Sequence, residues 1–293
     1  MARLLHHDGV ATQLRPARPA LVPGHFPQLP SVFSPRIFAA AGKYQMRLAI
    51  SEQEREAACR LRFRVFNLEL GEGLRSSYST GLDMDQFDYV CDHLLVEDRA
   101  SNEIVGTYRM QSGNSAKQRL GYYSAQEFDF SPYEAIRSQI LELGRASIAK
   151  EHRSSEVLTL LWRGIAQYCK LHRLRYLIGC SSLNSQDPGE GWAVYEQLRP
   201  FLAAPESLTV PNPSYRLPEK ISTGDLAPRI PRLLKTYIGI GARICGEPAW
   251  DREFGTIDFL TLLDLQQLTP AARDRFLLDG EHQATTAAAS CAS

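Results

Sequence analysis

The sequence predicts one mixed α/β domain over residues 44–279, and three observations carry that reading. Short β-patterned runs alternate with helical ones. Two of the strands, His93–Glu97 and Glu103–Gln111, are separated only by Asp98-Arg-Ala-Ser-Asn102, a hairpin turn. A long amphipathic helix, striped by Val157, Leu160, Leu161, Ile165, Tyr168 and Cys169, then stands between two apolar strands. The resulting order is βα, a meander, then βαβα with a β-rich end.

Tyr44–Ile50 is β-patterned, and Ser51 opens a helix with Glu54 three residues on as a capping box. Ala57, Leu61 and Val65 recur through that helix at its repeat. Ile140–Ala149 is a further strand, and Arg175–Ser181 reads as a buried one. Asp187 caps the next helix, with Pro188 at its first position and Glu190 completing a box. Ile230–Ala242 looks helical, and Thr256–Leu263 is the last apolar strand. Residues 1–43, with their many prolines, read as a loosely attached arm, and 280–293 as a flexible tail.

Composition removes several classes of function. Lys plus Arg and Asp plus Glu both number 33, so the chain carries no bulk positive charge for nucleic acid. The six cysteines include no Cys-x-x-Cys pair, so neither a zinc site nor a redox pair is expected. No apolar run reaches the roughly 20 residues of a membrane span, and the N-terminus lacks a signal-peptide core. A cytoplasmic setting is expected, with any contact to the cytoplasmic membrane peripheral.

The informative stretch is Leu141–Val157, a strand that runs through a short polar turn into the long helix. Unpaired N–H groups at such a helix start bind phosphate. Arg153 stands at the turn beside Ser154 and Ser155, which either cap the helix after an ordinary surface turn or admit an anion. A strand edge beside this turn, at Ile148 and Ala149, would offer amides to an extended pantetheine arm.

Strand, arginine-containing turn and helix resemble the acyl-CoA-binding motif of the GNAT N-acyltransferase superfamily, with Ser154, Ser155 and Glu156 in place of its glycines. Arg62-Phe-Arg-Val-Phe66, Asp85-Gln-Phe-Asp88, Gly106-Thr-Tyr-Arg109 and Glu142-Leu-Gly-Arg145 resemble, in the same order, four elements of acyl-homoserine-lactone synthases. The segments Pro231–Ala242, Gly246–Asp251 and Phe254-Gly-Thr-Ile-Asp258 depart from those enzymes. They look like the L-ornithine N-alpha-acyltransferases of the hemolysin-like branch, which also resembles long-chain N-acyl amino acid synthases. The resemblance implies a GNAT-like mixed sheet flanked by helices, with splayed strands forming the donor cleft. It implies acyl carrier protein, or acyl-CoA, as donor of a (3-hydroxy)fatty acyl group to ornithine, with no tightly bound cofactor.

Aminolysis of a thioester needs a neutral amine, a polarised carbonyl and a fixed geometry between them. Glu142, in an apolar strand that would raise its pKa, is the candidate base. Its other reading is a structural ion pair with Arg145 or another cation. Strict alternation sets those two residues on opposite faces, so a β-bulge would be needed to bring both to one cleft. Amides near Ser147 or Ile148 would hold the developing oxyanion. Asp85 and Asp88 either hold a cationic acceptor or order a loop; Arg62 and Arg109 either order that loop or grip a carboxylate. The basic residues Lys150, Arg153, Arg163, Lys170, Arg173 and Arg175 would suit an acidic carrier protein.

Overall fold

The computed structural model describes residues 37–219 and 229–276; most of the expected arm and the whole expected tail lie outside them. In chain order the regular elements are β1 (Phe38–Ala41), β2 (Tyr44–Leu48), α1 (Glu52–Phe63), β3 (Asp92–Asp98), β4 (Glu103–Ser112) and α2 (Gly113–Gln118). There follow β5 (Ile140–Ile148), α3 (Ser155–His172), β6 (Tyr176–Leu183), α4 (Pro188–Leu198) and α5 (Arg232–Ile240). β7 (Arg243–Ile244), β8 (Ala249–Asp251), β9 (Thr256–Asp264) and α6 (Pro270–Phe276) complete the order.

The strands form one sheet in the order β1-β2-β3-β4-β5-β6-β9-β7, with β8 also paired to β9. Every pairing is antiparallel except β5 with β6, the pair joined by the α3 crossover. Leu94 packs in the apolar cluster of α3, while its neighbour Leu95 packs with Ala58 of α1. Successive strand residues face opposite ways, so α3 and α1 cover opposite faces of the sheet.

The N-caps fall where the sequence places them, but neither expected capping box closes: the Asp187 N–H donates to Ser185 Oγ rather than to Glu190. Ser51 Oγ accepts from Glu54 N at 3.2 Å, although the Glu54 carboxylate reaches back to Ile50 N rather than to the cap's own N–H. Ser154 Oγ accepts from Val157 N, and Asp187 Oδ1 from Gly189 N with Pro188 next to it. The sheet begins earlier than Tyr44, because Phe38–Ala41 pairs with β2. The short β7 and β8 carry no alternation long enough to read, and α1 runs on through a π-helical turn, Arg64–Leu70, before Gly71 ends it with φ 70°.

What opens the sheet is the junction of β5 and β6. They pair only at Ile140–Tyr176, Leu141–Leu177 and Glu142–Ile178. Beyond that point β5 continues along β4 and β6 continues along β9. Gly179 sits at the parting, where a Cβ would lie 2.2 Å from the Leu143 carbonyl oxygen. Gly179→Ala is therefore expected to cost roughly 1–3 kcal/mol, as overpacking does. A thermal melt superimposable on that of the wild type would refute this account of the junction.

Candidate active site

A cavity of about 1000 Å³ fills the gap between the diverging strands. Its wall includes Glu142, Arg145, Ser147 and Ile148 from β5, and Arg153, Ser154 and Ser155 from the start of α3. Phe66 and Arg109 also line it, whereas Ala149 does not; the Ala149 N–H is bonded to the Val105 carbonyl at 2.8 Å.

The bulge that the Glu142–Arg145 spacing demands is present. Thr107 faces Ser147 and Arg109 faces Gly144, so Tyr108 alone stands opposite Arg145 and Ala146. Arg145 takes up the extra residue with φ 53°. Before the bulge Leu141 and Leu143 pack toward α3; after it Ala146 and Ile148 do. Glu142 and Arg145 thus share the other face, and Tyr123 touches both: its N–H donates to Glu142 at 2.9 Å, and its hydroxyl lies 3.4 Å from Arg145 Nη2.

Glu142 is buried, its second oxygen accepting from Ser124 N at 2.8 Å. Burial pushes its pKa up, against the pull of the Ser124 and Tyr123 N–H groups. It is held by the Tyr123 and Ser124 N–H groups and the Ser124 side chain and not by an ion pair with Arg145, and it lines the cavity.

Arg62 is fully buried and donates to both oxygens of Asp88 at 2.7 and 2.8 Å and to Asp83 at 2.9 Å. Arg109 reaches Asp85 at 2.7 Å and Asp88 at 3.3 Å. Arg145 lies farther off, 3.3 Å from Asp85 and 3.5 Å from Asp83, with its guanidinium over the Tyr123 and Phe254 rings. Three carboxylates therefore face three guanidinium groups. Burial opposes the Asp88 charge, yet Arg62 and Arg109 hold its carboxyl well below the usual range. Asp85 and Asp88 also cap the following turn, Asp85 accepting from Phe87 N and Asp88 from Asp85 N. With these partners the two acids tie the loop to the sheet and leave no carboxylate for a substrate cation.

Arg153 is likewise engaged, gripping Glu69 at 2.6 and 2.7 Å and the Ile148 carbonyl at 3.2 Å. Ser147 Oγ lies 3.4 Å from the Arg145 carbonyl. His93, beside Asp92, is packed rather than paired with it: burial pulls its pKa down to about 4, and Asp92 instead accepts from the Tyr168 hydroxyl.

A second acidic group went unnoticed in the sequence. Glu72 and Asp258 line the cavity, with Glu127 buried behind. Burial and Asp258 push Glu72 up to about 7; burial and Asp251 push Asp258 up to about 6; burial and Asp258 raise Glu127 well above the carboxylate range. Asp258 closes the Phe254-Gly-Thr-Ile-Asp258 segment as the one charged residue inside β9 before its terminal Asp264, and that break was the available signal.

Residues 61–163 match the acetyltransferase (GNAT) domain family, whose type of sheet is the one described above. The chain is similar to the L-ornithine N(alpha)-acyltransferase of Brucella abortus (strain 2308), 33% identical over 252 residues that cover 80% of this chain and 88% of that protein. It is similar also to the L-ornithine N(alpha)-acyltransferase of Rhodobacter capsulatus, 30% identical over 248 residues, 80% of this chain and 95% of that one. Among solved structures it is similar to an N-acyl amino acid synthase from uncultured soil microbes, with 13% identity, a TM-score of 0.44, and 80% and 95% of the two chains covered.

Proposed function

The chain belongs to the L-ornithine N(alpha)-acyltransferase family, and from that premise we propose that it moves a (3-hydroxy)fatty acyl group from the phosphopantetheine thioester of acyl carrier protein to the α-amine of L-ornithine, a step of ornithine-lipid synthesis. The observation that carries this reading is the cavity between β5 and β6, with Glu142 at its closed end and the start of α3 on its wall.

In this reading the pantetheine arm lies along the edge of β5 past Gly144, where β6 has moved away and backbone groups face the gap. Its phosphate meets the N–H groups at the start of α3, beside Ser154 and Ser155. Arg145, the most loosely paired of the three arginines, holds the acceptor's α-carboxylate. Glu142 takes the proton from the attacking α-amine, directly or through water, as the N–C bond forms. Amides near Ser147 and Ile148 stabilise the oxyanion, and as the C–S bond breaks the pantetheine thiolate leaves and takes the proton from Glu142, directly or through water, which restores the base. No acyl-enzyme is required, since a thioester already has a good leaving group.

An acidic carrier would meet the basic surface around α3, although Arg153 and Arg175 are already bound to Glu69 and Asp264. None of the helices among the described residues is long and apolar enough to cross a membrane. Leu70 and Leu233, 41% exposed each, lie on the cavity wall, and Leu68 nearby is 61% exposed. Such a rim suits a lipid product and peripheral contact with the cytoplasmic membrane.

The test is to incubate the purified protein with 3-hydroxyacyl carrier protein and a panel of amino acids, and to read products by mass spectrometry. N-acylornithine is the expected product. A preference for tyrosine would make the protein an N-acyl amino acid synthase of another kind, and a released lactone a signal synthase. Carrier binding without loss of thioester would leave a carrier-binding module and end the enzymatic reading.

A further inference from the structure

The two acidic groups beside the cavity are in opposite electrostatic states. Asp83, Asp85 and Asp88 are balanced by arginines. Among the described residues no ion pair balances Glu72, Glu127, Asp251 or Asp258. Asp251 is occupied locally, its Oδ1 accepting from Glu253 N and Phe254 N at 2.9 Å each. Glu127 accepts weakly from the Cys180 thiol at 3.7 Å. Carboxylate oxygens of Glu127 and Asp258 and the Cys180 sulfur lie within 4.8 Å of one another.

Within the second group two oxygens stand out; the one such oxygen of the first group, Asp83 Oδ1, belongs to a carboxylate already paired with Arg62. Oε1 of Glu127 and Oδ1 of Asp258 find no hydrogen-bond partner among the described residues, although their residues are only 1% and 4% exposed. Buried carboxylate oxygens without donors are unfavourable unless a cation arrives or one carboxyl keeps its proton. Without a cation, burial and Asp258 hold the proton on Glu127, which shares it with Asp258. Arg145 is the cation that bears on Glu72 and Glu127, and it is held by Asp83 and Asp85. Asp258 opens directly onto the cavity that also holds Glu142.

We propose that Asp258 and Glu127, with Glu72 on the cavity wall, form the subsite that takes the side-chain ammonium of a diamino-acid acceptor. The proposal rests on the cavity being the acyl-transfer site. An ammonium carries three N–H donors in a compact head, enough for both orphan oxygens and one more acceptor. A neutral side chain of equal length would leave those oxygens unpaired, which is how a polar pocket rejects an apolar analogue. The subsite also selects which amine reacts: the distal one stays protonated among carboxylates, while the α-amine stands near Glu142.

The test compares L-ornithine with L-norvaline, which lacks only the distal amine. Calorimetry on the full chain reads binding without turnover, and steady-state kinetics with acyl carrier protein thioester reads the same subsite in catalysis. Ornithine is expected to bind at least about 10-fold more tightly than norvaline, from loss of a charge-assisted contact. Asp258→Asn and, separately, Glu72→Gln should lower the ornithine-to-norvaline ratio of kcat/KM by about 10- to 100-fold, seated in KM for the amine. Folding of each variant is checked by its thermal melt, and Glu72→Gln, at the cavity wall, keeps the test open should Asp258→Asn not fold. Equal binding of both amines to the wild type, or an unchanged ratio in a folded variant, overturns the subsite. So does stoichiometric metal in the purified protein, since the carboxylates would then serve an ion. If the wild type transfers acyl groups to no amine, the reaction proposed above fails instead, and calorimetry still decides the subsite.

Discussion

Replacing Arg62 with methionine is expected to remove about 3–5 kcal/mol of stability, the cost of leaving a buried ion pair half made. That is a large part of the roughly 5–15 kcal/mol that holds an ordinary domain together. The guanidinium is fully buried and its fork fills both oxygens of Asp88 and one of Asp83. Methionine fills only the aliphatic part of the space and leaves Asp88 and Asp83 to the more distant guanidinium groups of Arg109 and Arg145. Arg62→Lys should recover only part of the loss, because an ammonium cannot serve two carboxylates in the fork's geometry. Urea denaturation measures both. A loss under about 1 kcal/mol for the methionine variant would mean that the loop does not depend on this pair.

The same cluster sets the acid limit of the fold. His93 is neutral when folded, with its pKa near 4, and in the unfolded chain it returns to its ordinary value of 6.5. The unfolded state therefore binds the extra proton between those values, and stability falls as pH drops from 6.5 toward 4. Asp88 adds its own loss below the ordinary carboxylate range, because its folded pKa is depressed.

Glu142→Gln is the largest expected effect on catalysis. Loss of a general base lowers kcat by about 10²–10⁴-fold. The donor's KM should move little, since the carrier and its pantetheine meet other residues. Gln also sets an amide NH2 against one of the two backbone donors, Tyr123 N or Ser124 N, so some stability is lost with the base. The pH profile separates the two effects. Burial raises the Glu142 pKa, so the wild type should lose kcat on the acid side above the usual carboxylate range. In the variant that acid limb should vanish from the residual rate. Turnover equal to the wild type's would remove Glu142 as the base.

The elements that could be read in advance were those whose periodicity exceeds a turn or two. The stripe from Val157 to Cys169 and the caps at Ser51, Ser154 and Asp187 mark their helices locally. β7 and β8 were not legible, because two or three residues cannot display alternation. Within the site, the pairing of Glu142 and Arg145 on one face was conditional on a bulge that propensity does not announce. The role of Asp85 and Asp88 was ambiguous for a different reason. Their partners, Arg62 and Arg109, are distant in sequence, and only the fold shows that those arginines saturate both carboxylates. The unpaired oxygens of Glu127 and Asp258 belong to residues 131 positions apart, beyond any local pattern.

The extra residue at Arg145 fixes a relation between spelling and shape. A regular strand shows alternate letters to the same side, so two side chains that cooperate across it are separated by an even count. Glu142 and Arg145 are three apart and still cooperate, because the inserted residue changes the parity midway. A chain that keeps that odd interval and that shared side must therefore keep the irregularity, whatever residues stand between. Deleting Ala146, which removes the irregularity but leaves the interval at three, would turn the guanidinium away from the carboxylate.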